Sequence, residues 1–172
     1  MRKPITYLTL ALTMVLASCG GDGDGDGEEN PGTAARPSNI PADCPVTIPD
    51  GSYTPPAEYP ANPQGRDVAW FGSDELWTAL PTDGDYARRK SLWWSVNFEG
   101  GATERKPEIG VVWNRLDEEQ EPISSGPPGT QASTPADGDY MIGGTDPIEP
   151  GCWEVTATYK GASLTYVYYL RG

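Results

Sequence analysis

The chain is 172 residues long, carries 25 acidic against 12 basic side chains for a formal charge of −13, and contains no histidine. Without an imidazole, Ser-His-Asp and Cys-His catalysis and the usual zinc sites are excluded. The negative charge argues against nucleic acid and anionic lipid head groups as partners and suits a basic protein.

In chain order, Arg2 and Lys3 precede an apolar run from Ile5 to Leu16 that only Thr6, Thr9 and Thr13 interrupt. It is long enough for a signal h-region and too short for a bilayer, which needs about 20 apolar residues. Leu16, Ala17, Ser18 and Cys19 follow, and this quartet resembles the lipobox of bacterial lipoproteins. The resemblance implies cleavage after a signal peptide of residues 1–18 and a diacylglycerol on the Cys19 sulfur. It also implies a palmitate-class acyl anchor in the bilayer and an extracytoplasmic place in the cell envelope. Two or three acyl chains on one cysteine suffice for stable anchoring. Gly20 stands where an aspartate would favour the inner membrane, so the expected site is the outer membrane in a host with two membranes, and otherwise the outer face of the cell membrane.

Lipidation uses Cys19 and leaves Cys44 and Cys152, which in an oxidising compartment can form one disulfide; two buried free thiols are the alternative. The bridge would close a loop of about 109 residues and contribute roughly 4.7 kcal/mol in the chain-entropy model. Loss of residues 1–18 removes two basic and no acidic groups, moving the formal charge from −13 to −15.

Residues 20–43 are dense in Gly, Pro and acid with almost no apolar side chain, a composition that cannot bury enough surface to fold. With Cys19 they read as a linker over 19–43, and 24 flexible residues span roughly 27 Å root-mean-square. Asp22, Asp24, Asp26 and Gly27 look superficially like an EF-hand start. The bidentate Glu position is Thr33, however, and no helical pattern flanks it, so a solvated charge run is the better reading.

Residues 44–172 are sized for one domain. They hold 9 basic and 19 acidic residues, a net charge of −10, and all six tryptophans. Strand-like runs occur at Val68 to Phe71, Leu76 to Leu80, Lys90 to Asn97, Ile109 to Asn114 and Tyr140 to Ile142. The stretch 117–138 is polar. The clearest signal comes last, where 153–159 and 163–170 form two aromatic and β-branched runs joined by Lys160, Gly161 and Ala162, which reads as a hairpin. Alternation predicts Trp153, Val155, Ala157 and Tyr159 on one face, matched by Leu164, Tyr166, Tyr168 and Leu170, with Glu154, Thr156, Thr158 and Thr165 toward solvent. About seven short strands at this spacing predict an all-β sandwich, with Cys44 on the first strand and Cys152 at the start of the penultimate one.

The set Cys44-Pro45-Val46-Thr47, Leu76-Trp77-Thr78-Ala79-Leu80, Trp93-Trp94, Arg115-Leu116-Asp117 and Gly151-Cys152-Trp153-Glu154-Val155-Thr156 resembles a family of uncharacterised exported bacterial proteins and lipoproteins. The likeness covers nearly the whole folded region, and its GCWEVT hairpin is the specific part. It implies an extracytoplasmic immunoglobulin-like β-domain. The acidic run from Asp117 to Glu121 and the tyrosine-rich last strand depart from the family pattern.

Met141 is the only methionine after the signal, which removes Met/His copper chemistry, and no cofactor is implied. Carboxylates remain. Asp74 and Glu75, beside Phe71 and Trp77, are the best-placed pair for glycan hydrolysis, although a strand-to-strand turn accounts for them more simply. Glu99, Glu104 and Glu108 and the run 117–121 read as solvated surface, and Asp83 with Asp85 or Asp137 with Asp139 as turn residues rather than a calcium site. Arg88, Arg89 and Lys90 precede Trp93 and Trp94, adjacent rings that must point to opposite faces of a strand. Arg88, Arg89, Trp93 and Trp94 are therefore the candidate contact surface.

The expected function is a lipid-anchored, non-catalytic binding module of the envelope whose partner is a protein or glycan. The alternatives are an acidic inhibitor or protective lipoprotein that captures a basic hydrolase, and a carboxylate-dependent glycan hydrolase.

Overall fold

Turn chemistry and side-chain alternation dictate the C-terminal hairpin. Strand β9 (Gly151–Tyr159) and strand β10 (Ala162–Leu170) pair antiparallel with Tyr159 opposite Ala162, which leaves Lys160 and Gly161 as a two-residue turn. Both turn residues have positive φ, 44° and 90°, the backbone twist that lets two right-twisted strands meet across so short a loop. Every side chain expected inward on β9 is buried, and so are Tyr166, Tyr168 and Leu170, while Thr158 and Thr165 are exposed. Thr156 and Thr165 face each other outside, with their hydroxyls 2.9 Å apart.

The computed structural model describes residues 39–59, 67–86, 90–134, 138–144 and 146–172. The signal segment, Cys19, the linker as far as residue 38, Arg88, Arg89 and Asp137 lie outside the described residues. No helix occurs among the described residues.

Before the hairpin come β1 (Val68–Ser73), β2 (Leu76–Pro81), β3 (Asp85–Tyr86), β4 (Leu92–Trp94), β5 (Gly110–Arg115), β6 (Ile123–Ser125), β7 (Gln131–Ser133) and β8 (Tyr140–Ile142). They form two five-stranded sheets, ordered β1-β2-β4-β8-β7 and β3-β10-β9-β5-β6. All pairings are antiparallel except β3 with β10. Taken in chain order, β2-β4-β8-β7 set against β10-β9-β5 reproduces the strand order of an immunoglobulin-like sandwich, including a buried Trp113 on the strand equivalent to C. The described residues thus form ten strands where about seven were expected. The additions, β3, β6 and β7, are two or three residues long, and two of them lie in the polar stretch 117–138, where apolar alternation is too brief to register.

Trp93, Trp113, Trp153, Tyr159, Tyr166 and Met141 fill the space between the sheets, each at most 1% exposed. Arg115 lies over the Trp153 ring, its guanidinium carbon 5.3 Å from the centroid, and is held there by Asp117 at 2.8 Å, Glu118 at 3.3 Å and Glu149 at 3.6 Å. Part of the expected solvated run 117–121 is therefore engaged in fixing one cation over the core.

Cys44 and Cys152 are disulfide-bonded with Cα atoms 5.6 Å apart. Cys44 is not on a strand, contrary to expectation. Its proline-rich surroundings, Pro41, Pro45 and Pro49, lack the amide hydrogens that a ladder needs. The bridge joins an irregular N-terminal arm to the outward side of β9, where Ile40, Val46, Val167 and Tyr169 pack around it. The folded unit therefore reaches at least to Ile40. Thr47 then docks on β10: its amide donates to Val167 O at 2.8 Å, and the Val167 amide donates to Thr47 Oγ1 at 3.0 Å.

Candidate functional site

Past Thr47 the arm leaves the second sheet and reaches the first. Tyr53 and Tyr59 pack on Trp77, with ring centroids 6.1 and 4.9 Å apart, and the Tyr59 ring is nearly perpendicular to the indole. Trp77 lies opposite Trp94 across the ladder, and Trp70 lies opposite Ala79. Alternation places Trp70, Trp77 and Trp94 together on the outer face, because the next residue, Trp93, pairs with Thr78 and Met141 and points into the core. Trp70 meets Trp94 edge-on at 4.9 Å, and Tyr140 joins Trp94 at 5.6 Å. The outside of the first sheet is thus an aromatic layer, with Trp77 wholly covered and Trp94 half-buried.

Where the arm crosses from one sheet to the other, a groove of about 420 Å³ opens to solvent. Ile48, Asp50, Ser52 and Tyr53 of the arm line one side, residues 70–73 of β1 the other, and Ser163 and Leu164 of β10 close one end. The wall at β1 depends on Gly72. Its φ is +135°, and a Cβ there would stand 2.7 Å from the Trp77 Cα, so no other residue fits without moving the β1–β2 ladder. Asp50 accepts the Ser52 amide at 2.9 Å, and the hydrogen bonds from Ser52 hold its carboxyl below the usual acid range. Tyr53 donates to Asp74 Oδ1 at 3.2 Å; burial first, and the Asp74 carboxylate second, push its phenol well up, so it remains a neutral donor. Asp50 lines the groove beside an aromatic wall, and Asp74 lies next to that lining, joined to it through the Tyr53 hydroxyl.

A second polar cluster is internal. Ser91 donates to Asp146 Oδ1 through its hydroxyl at 2.7 Å, and Tyr166 and Tyr168 lie close by, with Tyr86 stacked on Tyr168 at 4.2 Å. Among the described residues, Asp146 Oδ2 and the Tyr166 and Tyr168 hydroxyls find no hydrogen-bond partner, and burial pushes the Asp146 carboxyl up to about 6.

The residues singled out from sequence are dispersed. Trp93 is fully buried and takes no part in a contact surface, because inward alternation on β4 sends it between the sheets. Trp94 does face outward, while Arg88 and Arg89 lie outside the described residues. Asp74 and Glu75 are both exposed in the β1–β2 turn, not enclosed by Phe71 and Trp77 as a general acid would require. Glu104 is half-buried rather than solvated, accepting from Tyr159 at 2.7 Å and Lys160 at 3.1 Å. Burial foremost, then Glu104, pushes the Tyr159 phenol up to about 12. Asp139 accepts the Gly101 amide at 2.8 Å, and no group of three or more metal-ligating side chains gathers among the described residues.

Sequence reasoning missed the arm and the groove. The tyrosines at 53 and 59, set among prolines, were the available signal, since large rings in a strandless segment must cover something. No protein-family model matches the chain, and neither a curated protein nor a solved structure matches it.

Proposed function

We propose that this protein is a lipid-tethered binding module of the bacterial envelope, held by acylated Cys19 and presenting the arm-side groove to a partner. The observation that carries the reading is the groove itself. An aromatic wall with one oriented carboxylate, Asp50, and a second, Asp74, held beside it by Tyr53 is built by three separate chain segments, and nothing in the packing of a sandwich requires it. The side chains around it position and bind, and none of them forms an enclosed acid–base pair. The Leu16-Ala17-Ser18-Cys19 quartet supports the tether, and the acidic linker would let the domain search the space above the membrane.

Two measurements test this. Radiolabelled palmitate should enter the protein in its bacterial host and should fail to enter Cys19→Ser; equal labelling of the two would remove the anchor. Amide hydrogen exchange should be slower at 48–53 and 70–73 in native envelope membranes than in the purified chain. Equal exchange in both settings would remove the groove as the binding surface.

A further inference from the structure

We propose that the groove receives a lysine or arginine side chain carried on an extended segment of a basic partner protein. The inference rests on the binding-module reading and names its ligand chemistry. Asp50 is exposed, ionised and already oriented by Ser52, so pairing with a cation requires little reorganisation of the carboxylate. Asp74 sits at the end of β1 beside Ser73, its Oδ1 anchored by Tyr53. The half-buried rings of Tyr53 and Phe71 line the same groove as Asp50, a surface for the methylene stem of Lys or Arg and a face for its charge.

Charge selects this occupant over others. None of the described lysines or arginines lines the groove, so its carboxylate, Asp50, is not neutralised from those positions. The region 44–172 carries 9 basic and 19 acidic residues, a net charge of −10, whose field draws a basic partner in and repels both a second copy and the acidic linker at 20–30. A neutral glycan would gain from the rings but nothing from the field.

The test uses the full chain and two probes, a synthetic peptide of alternating lysine and serine and a chitin oligosaccharide, followed by tryptophan fluorescence and titration calorimetry. The expected result is saturable peptide binding that weakens as salt rises. Asp50→Asn with Asp74→Asn should lower it about tenfold or more, since each removes a charge-assisted contact. Glu119→Gln with Glu121→Gln, exposed acids outside the groove, should change affinity less than about twofold. Equal losses in the two double variants would mean that only the overall field attracts the peptide, and would overturn the proposal. Oligosaccharide binding sensitive to Asp50→Asn and Asp74→Asn, without peptide binding, would also overturn it while leaving the binding-module reading intact. Failure of both probes, with thermal melting showing each variant folded, would end both.

Discussion

The two sheets of this sandwich share one core but treat their outer faces in opposite ways. Outside the second sheet, Glu154, Thr156 and Thr158 on β9 and Thr165 on β10 give the polar surface of an ordinary antiparallel sheet, and the arm meets that sheet around the disulfide and along β10, where Thr47 bonds to Val167. Outside the first sheet, Trp70, Trp77, Trp94 and Tyr140 form a second apolar layer that the arm must cover. A sheet with two apolar faces cannot be left bare. Its cover comes from a segment held by one covalent bond and a few backbone contacts, and the groove opens along the edge of that cover. The plain face is scaffold, and the covered face is where recognition can be built.

The largest effect expected from breaking this contrast is loss of the strap. Cys44→Ser with Cys152→Ser should lower stability by about 4 to 5 kcal/mol, read by urea unfolding with and without reductant. A loss under about 1 kcal/mol would mean that the arm holds without its anchor. Next, Trp77→Ala on the covered face should cost about 3 to 5 kcal/mol, as much as Trp113→Ala in the core, because both indoles are fully buried. If Trp77→Ala costs far less than Trp113→Ala, the arm is a loose flap rather than a packed layer.

A smaller effect sits in the polar seam between the sheets. Burial raises the Asp146 carboxyl from 3.8 to about 6, so the folded protein holds that proton more tightly than the unfolded chain does. The contribution of Asp146 to stability is then full below 3.8, falls as pH rises through the window from 3.8 to about 6, and stays lost above it. Asp146→Asn should therefore raise stability by about 2 kcal/mol at pH 7.5 and leave it unchanged near pH 3.5. Thermal melts at the two pH values decide this, and an equal change at both would reject it. The smallest change is on the plain face: Thr156→Val removes one exposed hydroxyl pair and should shift stability by less than about 1 kcal/mol.

The same contrast explains what could be read from sequence. The hairpin was legible to within one or two residues at its ends, because β9 alternates apolar with polar side chains, β10 carries an unbroken apolar inner face, and the turn is closed by glycine. On β2, LWTALP, both faces are apolar, so alternation could locate a strand without saying that Trp77 lies outside the core. At Trp93 and Trp94 adjacency alone divided the rings correctly between faces. Strands β6 and β7 were hidden because their ladders rest on backbone pairing of serine, alanine and glutamine, which leaves no apolar period. The groove could not be read at all. It depends on Asp50, Tyr53, Trp70 and Ser163 meeting across more than a hundred residues, a juxtaposition set by the disulfide and the arm's path.

The most direct test of the central claim is site-specific photo-cross-linking in intact cells. A photoreactive side chain replaces Ser73 at the groove in one strain and Thr158 on the plain face of β9 in another, both exposed positions. A discrete adduct from position 73 and none from position 158 is the predicted result. An adduct from 158 alone, or the same adduct from both, would contradict the division into scaffold face and recognition face.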